Sequence, residues 1–194
     1  MYGIAWGLPS ATHLFSYHPD EFHSLRGALS LLLLGDPNPH FFNYGSLYLY
    51  LVAAGAALSG SMPPADLGFA GMAQMLHDWT LAGRLITALC GLLTVAVVYR
   101  TGELVTGRRL GLAAALALAV MPLHVLHSTY ATVDVPQTLF VALALLAAVR
   151  IAREGAPRDY LLAGLWAGLA ASTKYGGALV LIAPVVAHLL PARS

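Results

Sequence analysis

Charge is what this chain has least of. Only 10% of its residues are Asp, Glu, Lys or Arg, against 58% that are hydrophobic, where a soluble domain carries about 25% charged residues. That deficit excludes an ordinary water-exposed globule. The apolar residues fall in long blocks, so the lipid bilayer is the expected solvent and partner. Nine acids balance ten bases, a net charge of +1, and no basic face is left over for nucleic acid. The one cysteine, Cys90, lies inside an apolar block; this excludes a disulfide framework and a metal–thiolate cluster and leaves a small core or lipid-facing residue. Walker loop, dinucleotide fingerprint, zincin helix and serine elbow are all missing, as are tandem repeats and low-complexity tracts. The opening stretch MYGIAWGLPSATHLF lacks a basic n-region, so no cleavable signal peptide is expected. It reads instead as the last turns of a helix. With the closing PARS directly after an apolar block, the expectation is a single transmembrane domain over residues 1–194, incomplete at both ends.

What is present are blocks approaching the roughly 20 apolar residues of a membrane span. They are Thr80–Val105, Leu110–His127, Val135–Ala152, Tyr160–Lys174 and Gly177–Leu190. The last two are expected to form a helical hairpin around Tyr175-Gly176-Gly177. Backbone groups in lipid must pair within the segment, and no alternating strand pattern appears, so these blocks are helices. Glu21–Leu34, polar at its start and apolar at its end, reads as an interfacial helix. Ser46–Gly60 is apolar but short, and meets Gly60 and Pro63-Pro64.

The arginines orient the spans. Arg100, Arg108 and Arg109 flank one turn, Arg150, Arg153 and Arg158 another, and Arg193 follows the last block. The positive-inside rule makes these cytoplasmic and the connections His127–Asp134 and Lys174–Gly177 external. If Ser46–Gly60 crossed, Asp20 and Asp134 would lie on opposite faces. Its shortness selects a juxtamembrane helix, and both acids then face outward into one water-facing hollow. Tyr44, Tyr48 and Tyr50 suit the headgroup zone. The outer surface is expected to carry Asp20, Glu21, Asp36, Asp66, Asp78 and Asp134, with Arg26, Arg84 and Lys174 as its few bases.

In His18-Pro19-Asp20-Glu21-Phe22 the proline suits the first position of a helix, which puts both acids in its first turn. Acids there favour the helix dipole, a sufficient reason for one acid but a weak one for a pair beside His13, His18, His23 and Arg26. His23 lies one turn on, within reach of Asp20. The three histidines recur every five residues and, with Asp20 and Glu21, form a possible divalent-metal site of low specificity; no other cofactor is indicated. Asp134, in YATVDVP, reads as the N-cap of a helix that continues with Val135 and Pro136, a position that also suits a functional carboxylate. Lys174, the sole lysine, either snorkels or contacts a phosphate at the membrane surface. In GDPNPHFFNYGSLYLY, Asp36-Pro37-Asn38-Pro39 forbids helix and builds a rigid turn. His40, Asn43 and Tyr44 follow it, either in an aromatic-anchored interfacial loop or as the wall of a polar pocket above the membrane.

This ordered set resembles the membrane glycosyltransferases of the GT-C fold, of the protein-mannosyltransferase and aminoarabinose-transferase type, over nearly the whole chain. HPDEF is similar to the acidic motif of that family's first external loop. GDPNPHFFNYGSLYLY is similar to the pattern GDLNPHFFNYPSLYLY, with Pro37 in place of Leu and Gly45 in place of Pro. RLITALCGLLTVAVVY, GRRLGLAAALALAVMPLHVLHSTYATVDVP and GLAASTKYGG follow in family order. His23 stands where some relatives carry arginine. The resemblance implies an all-α, polytopic GT-C-like helical bundle with juxtamembrane helices in the first external loop, in a bacterial or archaeal plasma membrane. It implies a polyprenyl-phosphate-linked sugar donor and a protein, lipid or glycan acceptor whose hydroxyl attacks the anomeric carbon with inversion. Asp20 is then the general base or acceptor-orienting group, and Glu21 supports its loop. Asp134 lines the cavity, toward acceptor or metal, and Lys174 offsets the departing phosphate. His23, His40, Asn43 and Tyr44 are the expected wall and substrate contacts. The alternatives are a lipid-linked-sugar transporter or flippase, or a non-catalytic membrane subunit. A transporter tends to carry its charges near the bilayer midplane, whereas here the acids gather at helix mouths.

Overall fold

The computed structural model describes residues 3–61 and 68–189. Pro63-Pro64, Asp66 and Arg193, which entered the sequence reading, lie outside them. Among the described residues there is no β-strand, only an isolated bridge between Ser10 and His13, and the all-α class is met. Eight α-helices follow in order: α1 (Pro19–Ala28), α2 (Leu47–Ser59), α3 (Phe69–Thr106), α4 (Arg108–Ala119), α5 (Pro122–His127), α6 (Asp134–Arg153), α7 (Pro157–Thr173) and α8 (Ile182–Leu189). A π-helical turn, Leu29–Leu33, extends α1, and a 3-10 helix, Tyr175–Leu181, precedes α8.

Proline punctuates these elements. Pro19 and Pro157 open α1 and α7, where a missing N–H costs nothing. Pro122 opens α5 and divides the expected span 110–127, because proline inside a helix removes a bond and clashes with the preceding turn. Two helices, α3 and α6, are long and apolar enough to cross a bilayer; at 1.5 Å per residue they measure about 57 and 30 Å. The 13 residues of α2 reach only about 20 Å, short of the ~30 Å hydrocarbon core.

The third helix is built inside out relative to a helix in water. Thr80, Thr87 and Thr94 are buried while Leu85, Leu89, Leu92 and Leu93 are exposed. With Thr101 these threonines recur every seven residues, and each hydroxyl donates to the carbonyl four residues back. Polar groups turned inward and satisfied by the helix itself, with leucine outward, are what a lipid solvent selects.

The chain forms two compact units, Met1–Leu89 with Leu126–Val133, and Cys90–Val125 with Asp134–Ser194. In the first, α1 and α2 pack with the start of α3 around Leu25, Ala28, Tyr48, Val52, Trp79 and Val133. The close approach of α1 to α2 depends on Gly27, where a Cβ would lie 2.6 Å from the Leu49 carbonyl oxygen. Tyr48 is not a headgroup anchor. It is fully buried, and its hydroxyl lies 3.1 Å from the Gly83 carbonyl and 2.6 Å from the Thr87 hydroxyl. Tyr50 is exposed and donates to the Pro37 carbonyl at 2.8 Å. Residues 3–18 are turns and bends rather than the end of a helix; their carbonyls serve as acceptors for α3, as described below.

In the second unit α6, α7 and α8 share a small-residue core of Ala147, Ala148, Ile151, Ala163 and Ala187. The expected hairpin around residues 175–177 is turned by the 3-10 helix. Gly177 sits where a Cβ would meet the Ala170 backbone at 2.5 Å, so the turn is pressed against α7. Gly102 and Gly111 let α3 and α4 touch backbone to backbone, with a Cβ on Gly102 falling 2.8 Å from the Gly111 Cα. Small residues at such crossings are the means by which helices approach in lipid.

Candidate functional site

The two acids of HPDEF have opposite environments. Asp20 is exposed and has no hydrogen-bond or ion-pair partner among the described residues. Glu21 is fully buried. Arg84 grips it with both prongs, Nε to Oε1 and Nη2 to Oε2, each at 2.7 Å, and Oε1 also accepts the Ala131 amide at 2.7 Å. The remaining nitrogen, Nη1, donates to the carbonyls of Ile4 at 2.6 Å and Trp6 at 2.7 Å. The Glu21–Arg84 pair thus ties the N-terminal turns, α1, α3 and the segment 126–133 together, with the neighbouring Asp20 exposed on the first turn of α1. A planar guanidinium with a fixed fork is the side chain suited to such a bidentate, buried pair.

This overturns the placement of Arg84 among the exposed bases: it is 1% exposed. The signal was in the sequence, since a lone arginine inside LAGRLITALCGLL must find a partner within the protein. What no local window could supply was that the partner lies 63 residues earlier.

The histidines disperse. His13 hydrogen-bonds the Phe15 carbonyl at 2.9 Å and lies against Tyr17. His18 lies on the Tyr130 ring at 4.4 Å, with Arg84 over that same ring at 5.7 Å. His23 makes no hydrogen bond to Asp20; it stacks on Phe41 at 4.9 Å, and its buried Nδ1 has no partner among the described residues. Among the described residues no three His, Cys, Asp or Glu side chains are placed to hold a metal ion. These donors do not converge on a cation.

The loop after the π-helical turn is a chain of local bonds. Asp36 Oδ1 accepts the Asn38 amide at 2.8 Å, Asp36 Oδ2 lies 2.8 Å from His40 Nε2, and Asn38 Oδ1 accepts the His40 amide at 2.9 Å. Ser30 anchors the turn by donating to the Asn38 carbonyl at 2.7 Å. The Asn38 amide, and then the His40 ring, hold the Asp36 carboxyl below its usual range. His40 has a left-handed backbone, φ 49°. Its ring and the Asn43 side chain are exposed, while Tyr44 packs edge-on against Phe41 at 5.4 Å. The polar wall expected of His40, Asn43 and Tyr44 therefore has its outer members open and its last member folded inward.

In the second unit Asp134 opens α6 and Lys174 follows the last residue of α7. Their charged groups meet at 2.8 Å with the side chains 46% and 40% exposed. Two residues that the sequence suggested separately are therefore partners. Among the described residues the other buried carboxylate, Asp159 in the first turn of α7, has neither oxygen bonded and was not singled out in the sequence.

A family model described as dolichyl-phosphate-mannose-protein mannosyltransferase matches residues 61–194. The match takes in Asp134 and Lys174; HPDEF and the 35–50 stretch precede it. No curated protein and no solved structure matches the chain. Since the family match covers well over half of the sequence, this chain belongs to the dolichyl-phosphate-mannose-protein mannosyltransferase family, membrane-embedded glycosyltransferases of the GT-C type.

Proposed function

We propose that the chain is the active-site part of an inverting glycosyltransferase that moves a mannose-like sugar from a polyprenyl-phosphate donor to an acceptor hydroxyl, at the non-cytoplasmic face of a multi-pass membrane domain. The carrying observation is the division between the two acids: Glu21 is locked by three buried hydrogen bonds, and Asp20 is exposed beside it with no partner among the described residues. A general base needs a carboxylate with unoccupied lone pairs on a rigid support. Asp20 takes the acceptor hydroxyl proton as that oxygen bonds to the anomeric carbon. The bond from that carbon to the phosphate oxygen breaks, and the polyprenyl phosphate leaves with the electron pair. We assign the donor's phosphate to Lys174, whose ammonium suits a phosphate at the membrane surface. His40 and Asn43 offer exposed polar contacts to the acceptor. The arginine distribution supports the orientation.

The test is Asp20→Asn in the whole protein, in membranes containing their own acceptors, supplied with dolichyl-phosphate mannose. Release of dolichyl phosphate should fall to background while donor binding persists. Undiminished release in this variant would remove Asp20 as the base. Donor binding and translocation without any transfer by the unaltered protein would support a transporter instead.

A further inference from the structure

We infer that Asp134 is a positioning residue for Lys174, holding the ammonium where the phosphate of a lipid-linked sugar docks, rather than a group that contacts the acceptor or a metal. The inference takes up the phosphate role proposed for Lys174 and assigns Asp134 a role through it.

The argument starts from the helix ends. Asp134 sits at the N-terminus of α6 and Lys174 just beyond the C-terminus of α7. These two helices are sequential, joined by a short turn after Arg153, and packed side by side. Partial positive charge at one helix start favours the carboxylate, and partial negative charge at the neighbouring helix end favours the ammonium. Each charge therefore suits its own helix terminus before the two meet at 2.8 Å. Lys174 is also fixed at its root. Its backbone leaves the helix in an extended conformation, φ −152° and ψ 128°, its amide bonds the Ala170 carbonyl at 3.0 Å, and Gly177 presses the following turn against Ala170.

A pair this open to solvent adds little to stability, so stability does not explain it. What it does is restrict a long, flexible side chain. The bond to Asp134 orients the ammonium, and with the side chain 40% exposed its charge lies at an accessible helix mouth. A phosphate is the anion that suits such a point charge. The Asp134 carboxylate is committed to this ammonium through Oδ1, whereas Asp20 has no such partner among the described residues.

The test measures binding of dolichyl phosphate, with dolichol as the phosphate-free control, to the whole protein in nanodiscs. Lys174→Met and Asp134→Asn should each weaken dolichyl phosphate binding by about tenfold or more, the scale at which loss of a group that orients a ligand-holding side chain is felt. Dolichol binding should not change. The double variant should bind no more weakly than Lys174→Met alone, because Asp134 acts only through the lysine. Asp134→Glu, which keeps the charge, should retain most of the affinity and separates this role from a folding defect. In turnover, the Asp134→Asn loss should fall on the donor KM and not on the acceptor KM. Additive losses in the double variant, or an Asp134→Asn effect confined to the acceptor, would overturn the positioning role and leave the phosphate contact standing. Wild-type binding by Lys174→Met would overturn the phosphate contact itself, while leaving the role of Asp20 untouched.

Discussion

Arg84 and Glu21 face each other through two parallel hydrogen bonds of 2.7 Å, in a setting where the side chains are 1% and 0% exposed. Burying both charges is costly, and geometry of this quality, with Nη1 also donating to the carbonyls of Ile4 and Trp6, is what offsets the cost. The pair is a structural tie beneath an exposed acid, and its consequences can be measured.

Glu21→Gln leaves the guanidinium buried beside a neutral group, and the expected loss of stability is about 3–5 kcal/mol. The thermal midpoint of the purified protein in nanodiscs reports it. Replacing both partners, as Glu21→Met with Arg84→Met, should cost less than either single change. Singles that cost nothing would show that the tie is not what holds α1 to α3.

Tyr48→Phe removes a buried hydroxyl from Gly83 and Thr87. Thr87 keeps its own bond to the Gly83 carbonyl at 3.1 Å, so no donor is stranded and the loss should be modest, about 1 kcal/mol. A similar scan of the thermal midpoint checks this. An unchanged midpoint would mean that the contact contributes nothing net.

Gly27→Ala brings a methyl group to 2.6 Å from the Leu49 carbonyl oxygen, where backbone cannot yield cheaply. The expected cost is about 1–3 kcal/mol, the usual range for overpacking. Hydrogen exchange should localise the damage to α1 and α2; protection unchanged there would contradict the close approach.

The 35–46 loop should be ordered in a pH-dependent way. Asp36 is held below the ordinary carboxylate range, first by the Asn38 amide and then by His40. A depressed native pKa stabilises above the unfolded value, and that contribution is lost as pH falls through the native one. The loop should therefore stay ordered near neutrality and loosen only in strong acid. His40→Ala should raise the Asp36 midpoint, read by NMR titration, but not to its ordinary value, because the larger cause remains. A midpoint already at the ordinary value in the unaltered protein would contradict the bond network.

Local chemistry was the legible part of this chain. Pro19 marked a helix start, the shortness of α2 showed against the bilayer thickness, and Asp36-Pro37-Asn38-Pro39 announced its turn, because each effect acts within a few residues. The fates of Tyr48 and Arg84 were not legible. An aromatic in a short apolar helix fits a headgroup zone or a core equally well, and only the arrival of Gly83 and Thr87 decides. Pro122 was visible, but the break it causes was hidden by the uniform hydropathy on either side. Residues 3–18 have the composition of a helix end and instead supply carbonyls to an arginine some 80 positions away. Of the residues proposed to act, Asp20, Asp134 and Lys174 were named from the sequence. The pairing of the last two needed the packing of α6 on α7.

The most direct test sets Asp20→Asn beside Glu21→Gln in the whole protein, with the thermal midpoint and release of dolichyl phosphate from dolichyl-phosphate mannose measured on both. The exposed acid should be dispensable for folding and indispensable for transfer: Asp20→Asn keeps the wild-type midpoint and loses about 100-fold or more of its activity, the scale of a missing general base, while Glu21→Gln loses its midpoint. An Asp20→Asn protein that transfers sugar at the wild-type rate would contradict the account.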